Sequence, residues 1–313
     1  MAVAVGLAST AFGQATSSVV GYVTEDLIPG FNPIGVTLHN NIVATGTFTG
    51  ELVDAGADFV AALPDFAETT YLLEITSGDQ SGAVAIIDSV TATELTLSSA
   101  LGAGNADYQI RAAATLNDLF GGQLGSGVNS TSAGVDIVWV QRLDGTGFDQ
   151  YFFSSIGNEF RLTTAAFAAP PAPISVFYPD AIFIEVTDSS STTEVVIAGG
   201  VKTTGTVVTL DNGFNFVASP GPVGVTLGTS GFSDFLTEGL SAAVSDVVWL
   251  SDGAGGFIQY FSNNLASNPG WRLTTQAFGA NQDDVELSSG MFIERLGEST
   301  AGVATLPDFF DAL

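Results

Sequence analysis

The chain has no cysteine, so neither a disulfide framework nor a thiolate metal site holds it together. Cations are nearly as scarce. Six basic residues (Arg111, Arg142, Arg161, Lys202, Arg272 and Arg295) stand against 33 acidic ones, for a formal net charge of −27. Phosphate backbones and anionic lipid repel such a chain, which argues against nucleic acid and bilayer surfaces as partners. Charge of either sign is thin, at 12% of residues where about 25% is usual, and mean hydropathy is positive at +0.38. His39 is the single histidine. Any Ser-His-Asp triad or imidazole-based metal site would have to use it, and a surface loop accounts for it more simply. Beyond the N-terminus no apolar run approaches the ~18 residues needed to span a bilayer, so no membrane insertion is expected. The glycines punctuate hairpins and form no phosphate-binding loop between a strand and a helix.

What is present points to an exported β protein. Apolar residues make up 46% of the chain and aromatics recur throughout, which excludes intrinsic disorder. Residues 1–15 read as a signal-peptide-like segment: AVAVGLASTAF at 2–12 is apolar, and small residues follow near Gly13 to Ala15. With the basic n-region missing, Met1 is expected to be a downstream methionine of a longer signal or an incorrect start. A secreted or cell-surface location is the expectation.

An internal repeat organises the rest. PGFNPIGVTLHN (29–40) matches NGFNFVASPGPVGVTLGT (212–229), and DIVWVQRLDGTGFDQYFF (136–153) matches DVVWLSDGAGGFIQYF (246–261). FRLTTAAF (160–167) matches WRLTTQAF (271–278), AIFIEV (181–186) matches GMFIER (290–295), and LNDLFGGQL (116–124) answers to FSDFLTEGL (232–240). The stretch from Phe31 to Asp136 is much longer than its counterpart from Phe214 to Asp246, which locates an insertion at 41–113. The insert carries its own strand signals, YLLEIT, AVAIIDSV, ELTLSS and YQIRA, separated by Gly- and Asp-containing turns. Insertion of this kind calls for an exposed hairpin end after His39. The expected fold class is all-β: two tandem homologous antiparallel β-sandwich or half-barrel modules, the first (16–40 plus 114–201) interrupted by a small inserted β-barrel or meander (41–113), the second spanning 202–313. LDGTG (143–147) and SDGAGG (251–256) supply the positive φ of hairpin turns. The only helical signals are one short turn-and-a-half in each copy, around 115–124 and 232–243, with Asn117 or Ser233 as cap.

With the PGFN/NGFN turn, Val-Trp-Leu before an Asp-Gly-x-Gly-Gly hairpin and Gln-Tyr-Phe after it, Trp-Arg-Leu-Thr-Thr, and Tyr-Leu-Leu-Glu-Ile-Thr-Ser-Gly in the insert, the chain resembles a family of uncharacterised exported β proteins present as many paralogues in verrucomicrobial genomes. The resemblance implies export and a repeat-built β fold. It brings no activity, cofactor or catalytic residue. Phe160 departs from the pattern, standing where the second copy has Trp271.

No catalytic motif emerges, and the chain is expected not to be an enzyme. Arg161 and Arg272 occupy matching positions, and presence in both copies favours a structural role on carboxylates or strand-end carbonyls. Among the repeated aromatics, alternation sends about half to the core and leaves Tyr260 and Trp271 as candidate sugar-stacking platforms. Calcium is the one cofactor the acidic loops suggest, with Asp54, Asp58, Asp283 and Asp284 as candidate ligands, although neither loop has EF-hand spacing. A strand starting near residue 18, with Val19, Val20, Tyr22 and Val23, and an apolar tail, with Leu306, Phe309 and Phe310, offer two ends for end-to-end association into filaments. The leading expectation is therefore a non-catalytic structural protein of the cell surface or extracellular matrix whose partner is itself. A module binding surface polysaccharide comes second and a secreted glycoside hydrolase third.

Overall fold

A computed structural model describes residues 19–102, 104–142, 147–167, 173–188 and 192–313. The signal-like segment 1–15 and most of the LDGTG turn lie outside the described residues. In chain order the first elements are β1 (Val20–Leu27), β2 (Gly30–Gly35) and β3 (Leu38–His39). The insert follows with β4 (Ile42–Thr47), α1 (Phe59–Ala62), β5 (Tyr71–Ile75), β6 (Val84–Val90), β7 (Leu95–Leu97) and β8 (Asp107–Ala112). The chain then returns through α2 (Leu116–Phe120), β9 (Ser126–Gly127), β10 (Ile137–Gln141), β11 (Phe148–Ser154), β12 (Glu159–Leu162), β13 (Ala181–Val186) and β14 (Thr193–Val201). The last third holds β15 (Thr206–Leu210), β16 (Gly213–Ala218), β17 (Val247–Ser251), β18 (Phe257–Asn263), β19 (Gly270–Leu273), β20 (Gly290–Arg295) and β21 (Thr300–Ala304). The protein is all-β, with two short α-helices among the described residues.

Two sheets enclose the first core. The strand order β1–β14–β3 faces the order β12–β11–β10–β13–β2, and Leu27, Ile34, Val138, Phe153, Ile182, Ile184, Val195 and Ile197 fill the space between them. The insert is one antiparallel sheet, β4–β8–β5–β6–β7, over its own core of Phe48, Phe59, Leu73, Tyr108 and Ile110. In the last third, β15–β21 and β16–β20–β17–β18–β19 enclose Val208, Leu210, Phe232, Val248, Trp271 and Ile293.

The larger sheets of the first and last thirds share strand order, and residues matched in sequence share register. Trp139 lies opposite Gln150 and Phe183, as Trp249 lies opposite Gln259 and Phe292. Phe152 faces Arg161 as Phe261 faces Arg272. The repeated Gly-Phe-Asn turns have one mechanism. Gly30 and Gly213 sit at φ of 100° and 97°, where only glycine is unstrained. Asn32 then accepts from Ile28 N–H and donates to the Ile28, Gly30 and Ile184 carbonyls. Asn215 repeats each bond on Asp211, Gly213 and Ile293. A buried aspartate is likewise repeated: Asp136 accepts from Gly125 and Thr187 N–H, and Asp246 from Thr237 and Leu296 N–H.

The two large sheets meet at their matched edges. A Cβ at Gly35 would run into the Ser289 carbonyl, and one at Gly290 into the Pro33–Ile34 backbone, so the sheets touch backbone to backbone there. Away from that corner rings fill the wedge: Phe183 stacks on Phe216 at 3.9 Å between centroids and lies 5.3 Å from Phe292. At the flanks Phe31 meets Trp139 edge-on at 5.7 Å, and Phe214 meets Trp249 at 5.5 Å.

Two local expectations are corrected. The first short helix is α2, but its cap is Thr115 in a capping box with Asp118, not Asn117. The second is a 3-10 turn over Phe232–Asp234 preceded by Gly231, with no side-chain cap from Ser233.

Candidate functional site

The residues singled out in sequence separate sharply once placed. Tyr260 and Trp271 are core residues, not platforms, because their register on β18 and β19 points them between the sheets, where they pack with Val248 and Ile293. The rings on the opposite face are Trp249, Phe257 and Phe261, with Phe214 and Phe292 beside them. Three of the proposed calcium ligands have local structural work. Asp54 accepts from Tyr108 Oη and Gly56 N–H, Asp58 caps α1, and Asp283 accepts from Trp271 N–H and the Asn281 amide. Asp284 is exposed. Among the described residues no three His, Cys, Asp or Glu side chains converge on a metal position. Arg161 and Arg272 divide the two expected roles between them. Arg161 pairs with Glu159 and donates to the Ala166 carbonyl, whereas Arg272 is fully buried and donates to the carbonyls of Trp271, Asn268 and Pro269.

His39 is not a surface-loop residue, and the segment around it is not a free hairpin end. It is buried with its ring 4.4 Å from that of Tyr178, while the Asn40 amide donates to the Ala112 and Ala113 carbonyls and so ties the two ends of the insert together. Beside it lies the densest charge cluster of the molecule. Glu74 Oε1 accepts from Lys202 Nζ at 2.9 Å and Thr204 Oγ1 at 2.7 Å, and its Oε2 accepts from Gln109 at 2.7 Å, Tyr178 Oη at 3.1 Å and Arg111 at 3.4 Å. Burial pushes the Glu74 carboxyl up, but Lys202 and Arg111 override it and hold the group below its ordinary range. Burial first, then Arg111 and Lys202, drives His39 well below the ordinary imidazole range and keeps it neutral. Burial and Glu74 push Tyr178 well above its phenol range. The donors come from the insert, the first sandwich and the connector 202–206, so this carboxylate locks three parts of the chain. Sequence inspection passed it over. The available signal was a lone charge inside the otherwise apolar YLLEI strand.

The assembly candidates also divide. Phe310 is buried, and the C-terminal 3-10 turn seats Phe309 and Phe310 against Gly224 and Gly221. Phe310 is thereby docked on its own chain and Leu306 is half-buried, whereas Phe309 is 52% exposed. β1 is different. It pairs with β14 over all eight residues without a bulge, and among the described residues its other side pairs with no strand. Val201 N–H donates to Val19 O, which fixes the alternation: Gly21, Val23 and Glu25 turn their backbone groups to β14, while Val20, Tyr22, Thr24 and Asp26 turn theirs outward. Val20 is 67% exposed and Tyr22 75%, whereas Val23 packs against the core. The matched strand β15 is covered, because Val207 N–H donates to the Gly82 carbonyl of the insert at 2.8 Å and Gly82 abuts the Gly205 backbone. No helix among the described residues is long and apolar enough to cross a membrane. Comparison with protein-family models, curated proteins and solved structures finds no match to this chain.

Proposed function

We propose that this is a non-catalytic, exported structural protein of the cell surface or matrix that associates with its own kind through the open edge of β1. One observation carries the reading. Among the described residues the chain holds two matched edges of this type: the insert covers the one at β15, and the one at β1 pairs with no strand and carries outward N–H and C=O groups and an apolar face. Soluble proteins blunt such edges with charge, proline or a bulge; Val20 to Thr24 contains none of the three, and the one outward-turned charge of the strand, Asp26, lies near its C-terminal end. A second β1 added antiparallel extends the three-stranded sheet to six strands and satisfies the outward groups of both chains. Contact of β1 with β1 is self-complementary and closes a pair; that pair is the unit from which larger assemblies grow. Phe310, buried in its own chain, takes no part.

Light scattering over a concentration series tests this. The full chain is expected to shift from monomer to dimer. Thr24→Pro removes one outward N–H without touching the ladder to β14, and Tyr22→Lys places charge on the edge. Both should remain monomeric with unchanged melting temperature. A wild-type chain that stays monomeric at the highest soluble concentration, or variants that dimerise as the wild type does, would refute the reading.

A further inference from the structure

Besides the insert, one of the differences in length between the two copies of the repeat is a short addition. Where the first copy runs directly from Phe-Asn-Pro-Ile into Gly-Val-Thr-Leu, the second interposes Ala-Ser-Pro-Gly-Pro-Val, residues 218–223. Duplicated residues are accounted for by the fold that both copies build, so an addition to one copy needs its own explanation. These residues form one wall of a cleft of about 440 Å³ at the seam between the first and second sandwiches, inside the range of roughly 300–1,000 Å³ typical of small-molecule sites.

The walls are held firmly. Ser219 N–H donates to the Ser289 carbonyl at 2.7 Å across the cleft floor, and Leu287 N–H to the Val225 carbonyl at 2.8 Å. The added segment is backed by the C-terminal turn, with Leu306 and Phe310 against Gly221.

The lining has a definite chemistry. Glu25 from β1 and the exposed Glu286 both line the cleft, together with Ser219, Ser288 and Ser289; none of the six basic residues lines it. Its own bonds already occupy much of the donor capacity: Ser219 Oγ donates to the Gly221 carbonyl, and the Ser289 hydroxyl bonds to Glu25. Acceptors are left in excess. Burial raises the Glu25 carboxyl above its ordinary range, the Ser289 bond opposing it, so the group has lost water without gaining a cation. Pro222, Val223, Val225 and Leu287 add an apolar wall. Anions are disfavoured by two carboxylates. A bare divalent ion would leave most of the volume unfilled and lacks a third carboxylate. A ligand that offers many hydroxyl donors on one side and C–H groups on the other satisfies both walls.

We propose that this cleft binds a neutral saccharide, with Glu25 and Glu286 accepting from ring hydroxyls and the 222–225 segment packing against the sugar's C–H face.

The test is saturation-transfer NMR followed by calorimetry on the full chain, using neutral gluco-, manno- and galacto-oligosaccharides, oligouronates, and calcium alone. A neutral oligosaccharide is expected to bind and oligouronates not to. Glu286→Gln, at an exposed position, should weaken that binding about tenfold or more, the loss of a hydrogen bond to a charged group, at unchanged melting temperature. Ser289→Ala should weaken it too. The proposal is overturned if no neutral saccharide in the panel binds, if oligouronates bind equally well, if only calcium produces a response, or if both variants bind as the wild type does. Because Glu286→Gln and Ser289→Ala leave the sequence and outward backbone groups of β1 unchanged, failure here leaves the association test untouched.

Discussion

The first and last thirds of this protein are built on one plan and completed differently. Their large sheets share strand order and register, and even the ring geometry recurs, with Phe31 and Phe214 set edge-on to Trp139 and Trp249 at 65° and 69°. The differences lie where other segments touch them. Among the described residues, β15 is covered by the insert and β1 pairs with no strand on its outer side; Arg272 is buried on carbonyls and Arg161 pairs with a carboxylate; Trp139 Nε1 donates to Glu185 at 3.2 Å while buried Trp249 Nε1 has no partner there. A duplicated sequence reproduces a scaffold. What each copy exposes is decided by its neighbours.

The comparison is broken most severely at Glu74. Replacing it with alanine leaves Lys202 and Arg111 buried without their counter-charge, a loss of roughly 3–5 kcal/mol. The insert should then loosen from the connector 202–206, and β15 should come to resemble β1. Hydrogen exchange checks this: the Val207 amide, protected in the wild type by Gly82, is expected to exchange faster, while amides bonded within β16–β20 keep their protection relative to global stability. Equal loss of protection everywhere would mean that the carboxylate is a general core element and not a lock on the insert.

The arginine pair sharpens the comparison next. Arg272→Met removes the donor from three carbonyls in a fully buried site and should cost roughly 3 kcal/mol. Arg161→Met, in the less buried copy, should cost about 1 kcal/mol. Urea melts of both variants measure the gap, and equal losses would show that the two sites are energetically alike despite their different partners.

The smallest effect concerns pH. Asp180 precedes β13 where Ser289 precedes β20, and burial raises its carboxyl to about 7. A carboxyl raised in the folded state favours folding when protonated, so its contribution is intact below the unfolded value near 4 and is lost as pH rises through about 7. The side chain is partly exposed, so the loss is modest. Asp180→Ser, which makes the first copy like the second, should raise the melting temperature at pH 8 and leave it unchanged at pH 4. A variant less stable at pH 8 than at pH 4 relative to wild type would reverse the sign and discard the assignment.

Sequence alone determined what depends on residues close along the chain. The all-β class follows from alternation, and the Gly-Phe-Asn turns follow from a positive φ at Gly30 and Gly213 and from an asparagine whose bonds mostly return within four residues. The strands between Ile42 and Ala112 form a sheet of their own, β4–β8–β5–β6–β7, in the stretch where the spacing between matched motifs is unequal. Tertiary structure alone decided everything that depends on distant segments meeting. It buried His39, turned Tyr260 and Trp271 inward, docked Phe310, brought Glu74, Arg111 and Lys202 together, and lined one cleft with both Glu25 and Glu286. The physical reason is range. Turn chemistry and strand alternation act over a few residues, whereas burial and charge pairing act through space, between side chains that the sequence keeps far apart.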